Sequence, residues 1–114
     1  MTLSTIRMTK VGSRTVLIPK GPLTHQNCDE LESIFNECIS KQNTEIILDC
    51  KSVSFIDSEV LELLDRMNET LKNQGGILKM ISMVEVCRDI LIATRLTKIF
   101  HFYKNINDAI RNVP

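Results

Sequence analysis

The chain has 114 residues, enough for one domain around one core, and its 43% hydrophobic and 25% charged residues are a globular rather than a disordered balance. Lys and Arg total 14 and Asp and Glu total 14, so the net charge is zero, which removes the electrostatic footprint of a nucleic-acid binder. No apolar run approaches the ~18 residues of a membrane span, and the opening MTLSTIRMTK lacks the apolar core of a signal peptide; a cytoplasmic chain without membrane insertion is expected.

In chain order, residues 4–10 alternate, with Ile6 and Met8 on one face, and residues 14–18 (RTVLI) are β-branched and end at Pro19. Both read as strands, joined as a hairpin through Gly12 and Ser13. The Pro-Gly-Pro neighbourhood from Pro19 to Pro22 reads as a loop. Leu31, Ile34, Phe35, Cys38 and Ile39 then fall at helical spacing. Asn27 is the expected cap, and Asp29 and Glu30 sit in the first turn, where the helix dipole favours acids.

Residues 45–49 (EIILD) are a short apolar run suited to a buried strand. Val60, Leu61, Leu64, Met67 and Leu71 define the next helix, which Gly75-Gly76 end. Residues 77–81 (ILKMI) predict a strand. Val86, Ile90, Leu91 and Thr94 predict a helix, residues 99–103 (IFHFY) a strand, and Ile106, Ala109, Ile110 and Val113 a closing helix. The alternation calls for right-handed crossovers and a largely parallel sheet, made mixed by the opening hairpin. The expected fold is therefore α/β, a mixed sheet packed with helices in a single domain. Leu31, Phe35, Leu48, Leu64, Met67 and Ile90 are expected in its core.

Cys28, Cys38, Cys50 and Cys87 form no CxxC pair and lie in apolar segments, which reads as buried free thiols in a reducing compartment. Neither the cysteines nor His25 and His101 have metal-ligand spacing, and neither metal nor cofactor is expected.

The informative stretch is FIDSEVLEL, residues 55–63. With Asp57 as N-cap, Ile56 and Leu61 are placed to form a hydrophobic staple, and Ser58 becomes the first helical residue. A phosphate on Ser58 would meet free backbone N–H groups and the positive end of the helix dipole, and would bring roughly −1.5 to −2 charges. The pair by itself reads as a cap or as a modification site.

The segments LDCKSVSFIDSEVLELL (48–64), NQGGILKMI (73–81), VCRDILIATRLTKIFHFYKNINDAI (86–110) and KGPLTHQN (20–27) together resemble the STAS family, most closely its anti-sigma factor antagonists. The resemblance covers nearly the whole chain, and residues 1–114 are expected to be one STAS domain. It implies a non-enzymatic switch. Such an antagonist binds an anti-sigma factor that is also a serine kinase and thereby frees a sigma factor. The kinase phosphorylates the serine after the signature Asp, matched here by Ser58, and a phosphatase restores it. Gly21 and Thr24 match the neighbouring loop, and the partner surface implied is Gly21, Thr24, Asp57, Ser58, Glu59 and Val60.

The chain departs from the family pattern D-S-[ST]-G at Glu59 and Val60. Glu59 repels an added phosphate, and Val60 adds bulk where a partner approaches. Thr24 stands where many antagonists have Asp, and Thr94-Arg95-Leu96 replaces an S-G-L turn. The alternative reading keeps the fold but drops phosphorylation, as in STAS scaffold or adaptor subunits of lipid-transport or signalling complexes.

Two other classes compete. An enzyme reading offers Asp57 with Ser58, or His25 with Cys28, as a reactive pair, but no triad, nucleophile elbow or phosphate loop accompanies them. A ligand-sensing reading would line an internal space with Phe35, Phe55, Met67, Met80 and Met83, residues whose spacing is that of plain core.

Overall fold

The computed structural model describes residues 4–94 and 100–111. Among them the order is β1 (Ile6–Val11), β2 (Arg14–Pro19), α1 (Cys28–Ser40), β3 (Glu45–Asp49), α2 (Ser58–Asn73), β4 (Ile77–Ile81), α3 (Glu85–Ala93), β5 (His101–Tyr103) and α4 (Ile106–Arg111). This is the expected α/β alternation. The five strands form one sheet in the order β1-β2-β3-β4-β5, with β1 antiparallel to β2 and the remaining pairs parallel.

The hairpin closes through Gly12 at φ +65°, opposite the pair Val11–Arg14; a two-residue turn needs that left-handed backbone. Since β2 to β5 run in sequence and in parallel, right-handed crossovers place α1, α2 and α3 on one face. Their buried residues, among them Leu31, Phe35, Leu64, Met67 and Leu91, join Leu17, Ile46, Leu48, Leu78 and Met80 from the sheet. The strand register stacks Leu17, Leu48, Met80 and Phe102 across that face. On the other face α4 packs Ala109 against Val16, Ile47 and Ile81.

Helix α2 buries Val60, Leu61, Leu63, Leu64, Met67, Asn68 and Leu71. At ~1.5–3 kcal/mol for each large apolar side chain, this burial far outweighs the ~1 kcal/mol of its cap, so packing holds the helix and the cap sets where it starts. Its C-terminus is a Schellman motif: Gly76 N–H donates to Leu71 O at 2.7 Å and Gly75 N–H to Lys72 O at 3.0 Å. The two glycines have separate reasons. Gly75 takes φ +77°, whereas a Cβ on Gly76 would run into the Thr44 carbonyl.

Several expectations shift in detail. Met8 does share the Ile6 face, opposite Leu17, but it is 45% exposed because β1 is the edge strand and Met8 lies at the rim of α1. Val86 is 59% exposed: the buried stripe of α3 is Cys87 and Leu91, and Ile90, expected in the core, is half-buried against it. Strand β5 begins at His101, with Phe100 buried just before it. Ile99, Arg95, Leu96 and Val113, which carried parts of the sequence reading, lie outside the described residues.

Candidate functional site

Parallel strands send all their C-terminal loops to one edge of the sheet. The loop after β2 and the loop after β3 meet there. Leu23 N–H donates to Phe55 O at 2.9 Å and Asp57 N–H to Leu23 O at 3.1 Å, and Leu23 forms a parallel bridge with Ile56. Both Leu23 and Ile56 are buried and anchor the two loops in the core.

Asp57 is the N-cap of α2, with extended backbone. Its Oδ1 accepts the Val60 N–H at 3.0 Å, and its Oδ2 accepts the His25 N–H at 2.6 Å. The His25 ring Nδ1 lies 3.4 Å from the same Oδ2. One carboxylate thus caps the helix and ties it to the neighbouring loop. Partial burial pushes the Asp57 carboxyl up, but the amides of Val60 and His25, together with the His25 ring, outweigh it and hold the group below the ordinary carboxylate range.

Ser58 follows as the first residue of α2 and is exposed, and no described residue hydrogen-bonds its hydroxyl. Glu59 is exposed beside it, and Phe55 on the preceding loop is 46% exposed. Ile56 and Leu61, the proposed staple, belong to one buried cluster.

Val60 departs from expectation. Its side chain has 0% exposure and fills the core, so it cannot present bulk to a partner; its share in the site is the amide given to Asp57. Asn27 occupies the N-cap position of α1 but makes no side-chain cap bond. Its Oδ1 instead accepts the Thr24 N–H at 2.8 Å, and its Nδ2 donates to Pro22 O at 3.1 Å. The Thr24 hydroxyl accepts the Gln26 N–H at 3.2 Å. Residues 22–27 are therefore a self-braced turn. Gly21 lines a shallow groove of about 390 Å³ beside it, and a Cβ there would meet nothing within 4 Å.

The competing pairs come apart. Cys28 is buried, and burial first, then the Glu59 carboxylate, push its thiol up, away from a reactive thiolate; the His25 ring pairs with Asp57 instead. Phe35, Met67 and Met80 are packed in the core while Phe55 faces solvent, so the suggested ligand lining does not converge on one space. Among the described residues, no group of three or more His, Cys, Asp or Glu is placed to hold a metal, and no helix is long and apolar enough to cross a membrane.

Sequence reasoning missed the His25–Asp57 pairing, whose partners are 32 residues apart and share no local pattern. It also missed Lys79, which is 4% exposed in the middle of a strand. Lys79 Nζ donates to Ala109 O at 2.8 Å and pairs with Glu45 at 3.1 Å, while Arg14 takes the same Glu45 oxygen at 3.0 Å.

Residues 5–109 match the STAS domain. The chain belongs to the STAS domain family. A proposed anti-sigma factor antagonist of Thermotoga maritima is 26% identical to this STAS chain over 104 residues, covering 90% of this chain and 92% of that protein. The crystal structure bearing the same description superposes with a TM-score of 0.89 at 25% identity, covering 95% of this chain and 93% of that one. The Bacillus anti-sigma factor antagonist SpoIIAA shares the fold: its unphosphorylated form superposes at TM-score 0.76 with 18% identity, covering 95% of this chain and 96% of that one. Its phosphorylated form superposes at TM-score 0.73 with 19% identity, covering 96% and 99%.

Proposed function

We propose that this STAS protein is an anti-sigma factor antagonist switched at Ser58. In this reading it acts in the cytoplasm as a binding protein rather than an enzyme, and residues 1–114 form one STAS domain. Its partner is an anti-sigma factor that is also a serine kinase. Binding of the unmodified form frees a sigma factor, phosphorylation of Ser58 by ATP ends the binding, and a phosphatase resets the switch.

The observation that carries the reading is the placement of Ser58: exposed, first in α2, and next to the Asp57 carboxylate that fastens the 22–27 turn to the helix start. A phosphate there changes the charge of a loop-and-helix surface formed by Gly21, Thr24, Asp57, Ser58 and Glu59 while the core stays as it is. The neighbouring first-turn amides can accept part of that charge, and Glu59 opposes it.

Glu59 is also the observation that favours the second reading, a STAS adaptor that binds its partner without phosphorylation. A pull-down from native lysate with intact-mass measurement separates the two. A co-purifying kinase and one added phosphate on Ser58 support the switch. Ser58→Asp is expected to weaken the captured complex while Ser58→Ala binds as wild type does. Equal binding by both variants moves the partner surface elsewhere, and a partner captured with no phosphate under any condition favours the adaptor.

A further inference from the structure

A second concave site lies on the same edge of the sheet, beyond β4 and away from Ser58. It is a cleft of about 410 Å³ lined by Ser82, Met83, Arg88, Phe102, Tyr103 and Lys104. That volume is in the range of small-molecule sites, and the carboxyl ends of parallel strands, here β4 and β5, are where α/β sheets place ligands.

The rim of the cleft is built rather than incidental. Ser82 takes φ +57°, the left-handed region that residues with a Cβ seldom occupy and that clusters at functional positions. It is held there by three bonds to one turn: its N–H reaches Tyr103 O at 3.3 Å and Lys104 O at 3.2 Å, and its hydroxyl donates to Lys104 O at 3.2 Å. These bonds fix the loop after β4 against the end of β5 and so fix the spacing of the two walls.

The chemistry of the walls is asymmetric. Arg88 from α3 and Lys104 after β5 are both exposed, and neither has an acidic partner among the described residues, although Glu85 and Asp89 share α3 with Arg88. Among the described residues, other cations are ion-paired, Arg14 and Lys79 with Glu45, Lys41 with Glu37, Lys51 with Asp49 and Arg66 with Glu32, while Arg7, Lys10, Lys20, Lys72 and Arg111 also lack an acidic partner; what sets Arg88 and Lys104 apart is that both line one cleft. Met83 and Phe102, both half-buried, line the same cleft, and the Phe102 ring packs T-shaped with Phe100, centroids 6.4 Å apart.

We infer that this cleft binds a small organic anion. A phosphate or carboxylate head sits between Arg88 and Lys104, where a guanidinium can grip two oxygens at once, and a flat or apolar body lies against Met83 and Phe102. Two solvent-facing cations attract an anion only weakly in water, so the apolar wall is needed for useful affinity. The inference does not depend on Ser58 being phosphorylated.

The test is a titration of the full chain with phenyl phosphate, followed by amide NMR. Saturable shifts centred on Ser82, Met83, Arg88 and Phe102 are expected, with phenol and inorganic phosphate each binding more weakly. The double variant Arg88→Gln, Lys104→Gln should lose affinity by about tenfold or more. Both residues are exposed, so the variant should keep the wild-type spectrum elsewhere. Unsaturable shifts, shifts centred elsewhere, or unchanged affinity in the double variant overturn the proposal. Sedimentation with anionic phospholipid vesicles in the absence of any phenyl phosphate response overturns it as well, since it would assign the two cations to a lipid surface.

Discussion

Asp57 and His25, 32 residues apart, are joined by a 2.6 Å bond from the His25 amide to Asp57 Oδ2, while the other oxygen of the same carboxylate caps α2. A single side chain therefore decides both where the helix starts and where the neighbouring loop lies. The geometry around Ser58 depends on it.

Asp57→Ala should destabilise the protein by about 1–2 kcal/mol in chemical denaturation, the range for a lost N-cap. Asp57→Asn keeps an acceptor for Val60 but cannot accept the His25 amide with its other atom. Its cost should be smaller, with faster hydrogen exchange in residues 22–27 than in α2.

The same group gives stability a definite pH dependence. The folded Asp57 carboxyl lies below its ordinary value, so its contribution is full at neutral pH and down to the ordinary carboxylate pKa. It declines as pH falls below that point and is gone once pH is below the folded value. The stability gap between wild type and Asp57→Asn should be constant near neutrality and close in strong acid; a gap that widens in acid contradicts the assignment.

If Ser58 is the switch proposed above, Glu59→Ser should take up phosphate there faster than wild type when treated with the partner kinase, and added salt should narrow the difference, because exposed charges are screened. Val60 is the wrong residue to change in this test. Val60→Gly removes a fully buried side chain and puts glycine into a helix, an expected loss of about 3 kcal/mol that would confuse folding with recognition.

The two glycines after α2 should respond differently. Gly75→Ala strains a left-handed residue with open space around it and should cost about 1 kcal/mol. Gly76→Ala forces a Cβ into the Thr44 backbone and should cost about 2–3 kcal/mol. Thermal or denaturant midpoints of the two variants check the order.

Lys79→Met should cost about 1–3 kcal/mol, because it leaves the Ala109 carbonyl without its 2.8 Å donor and deprives Glu45 of its nearly buried partner. The effect should concentrate in α4: amide exchange there should rise more than in α1 or α2.

The order of strands and helices was legible in the sequence because each element has its own period. Leu31, Phe35 and Cys38 mark one face of a helix whatever surrounds it, and EIILD and ILKMI are short, largely apolar runs of strand length between helical patterns. The start of α2 was legible for the same reason, since capping by Asp57 acts only on Val60, three residues on. Fine placement failed where the deciding contact comes from a distant segment. Asn27 has the chemistry of a helix cap, yet its side chain serves the turn at Thr24. Val86 has the right apolarity, yet the rotation of α3 on the sheet buries Cys87 instead. Val60 looked like a surface departure until the packing of α2 turned its side chain inward, and Lys79 looked like an ordinary strand lysine until α4 laid a carbonyl over it. Periodicity and capping are local and are written in neighbouring residues. The pairing of His25 with Asp57, the burial of Val60 and Lys79, and the cleft between Arg88 and Lys104 depend on which segments the sheet brings together, and only the tertiary structure decides that.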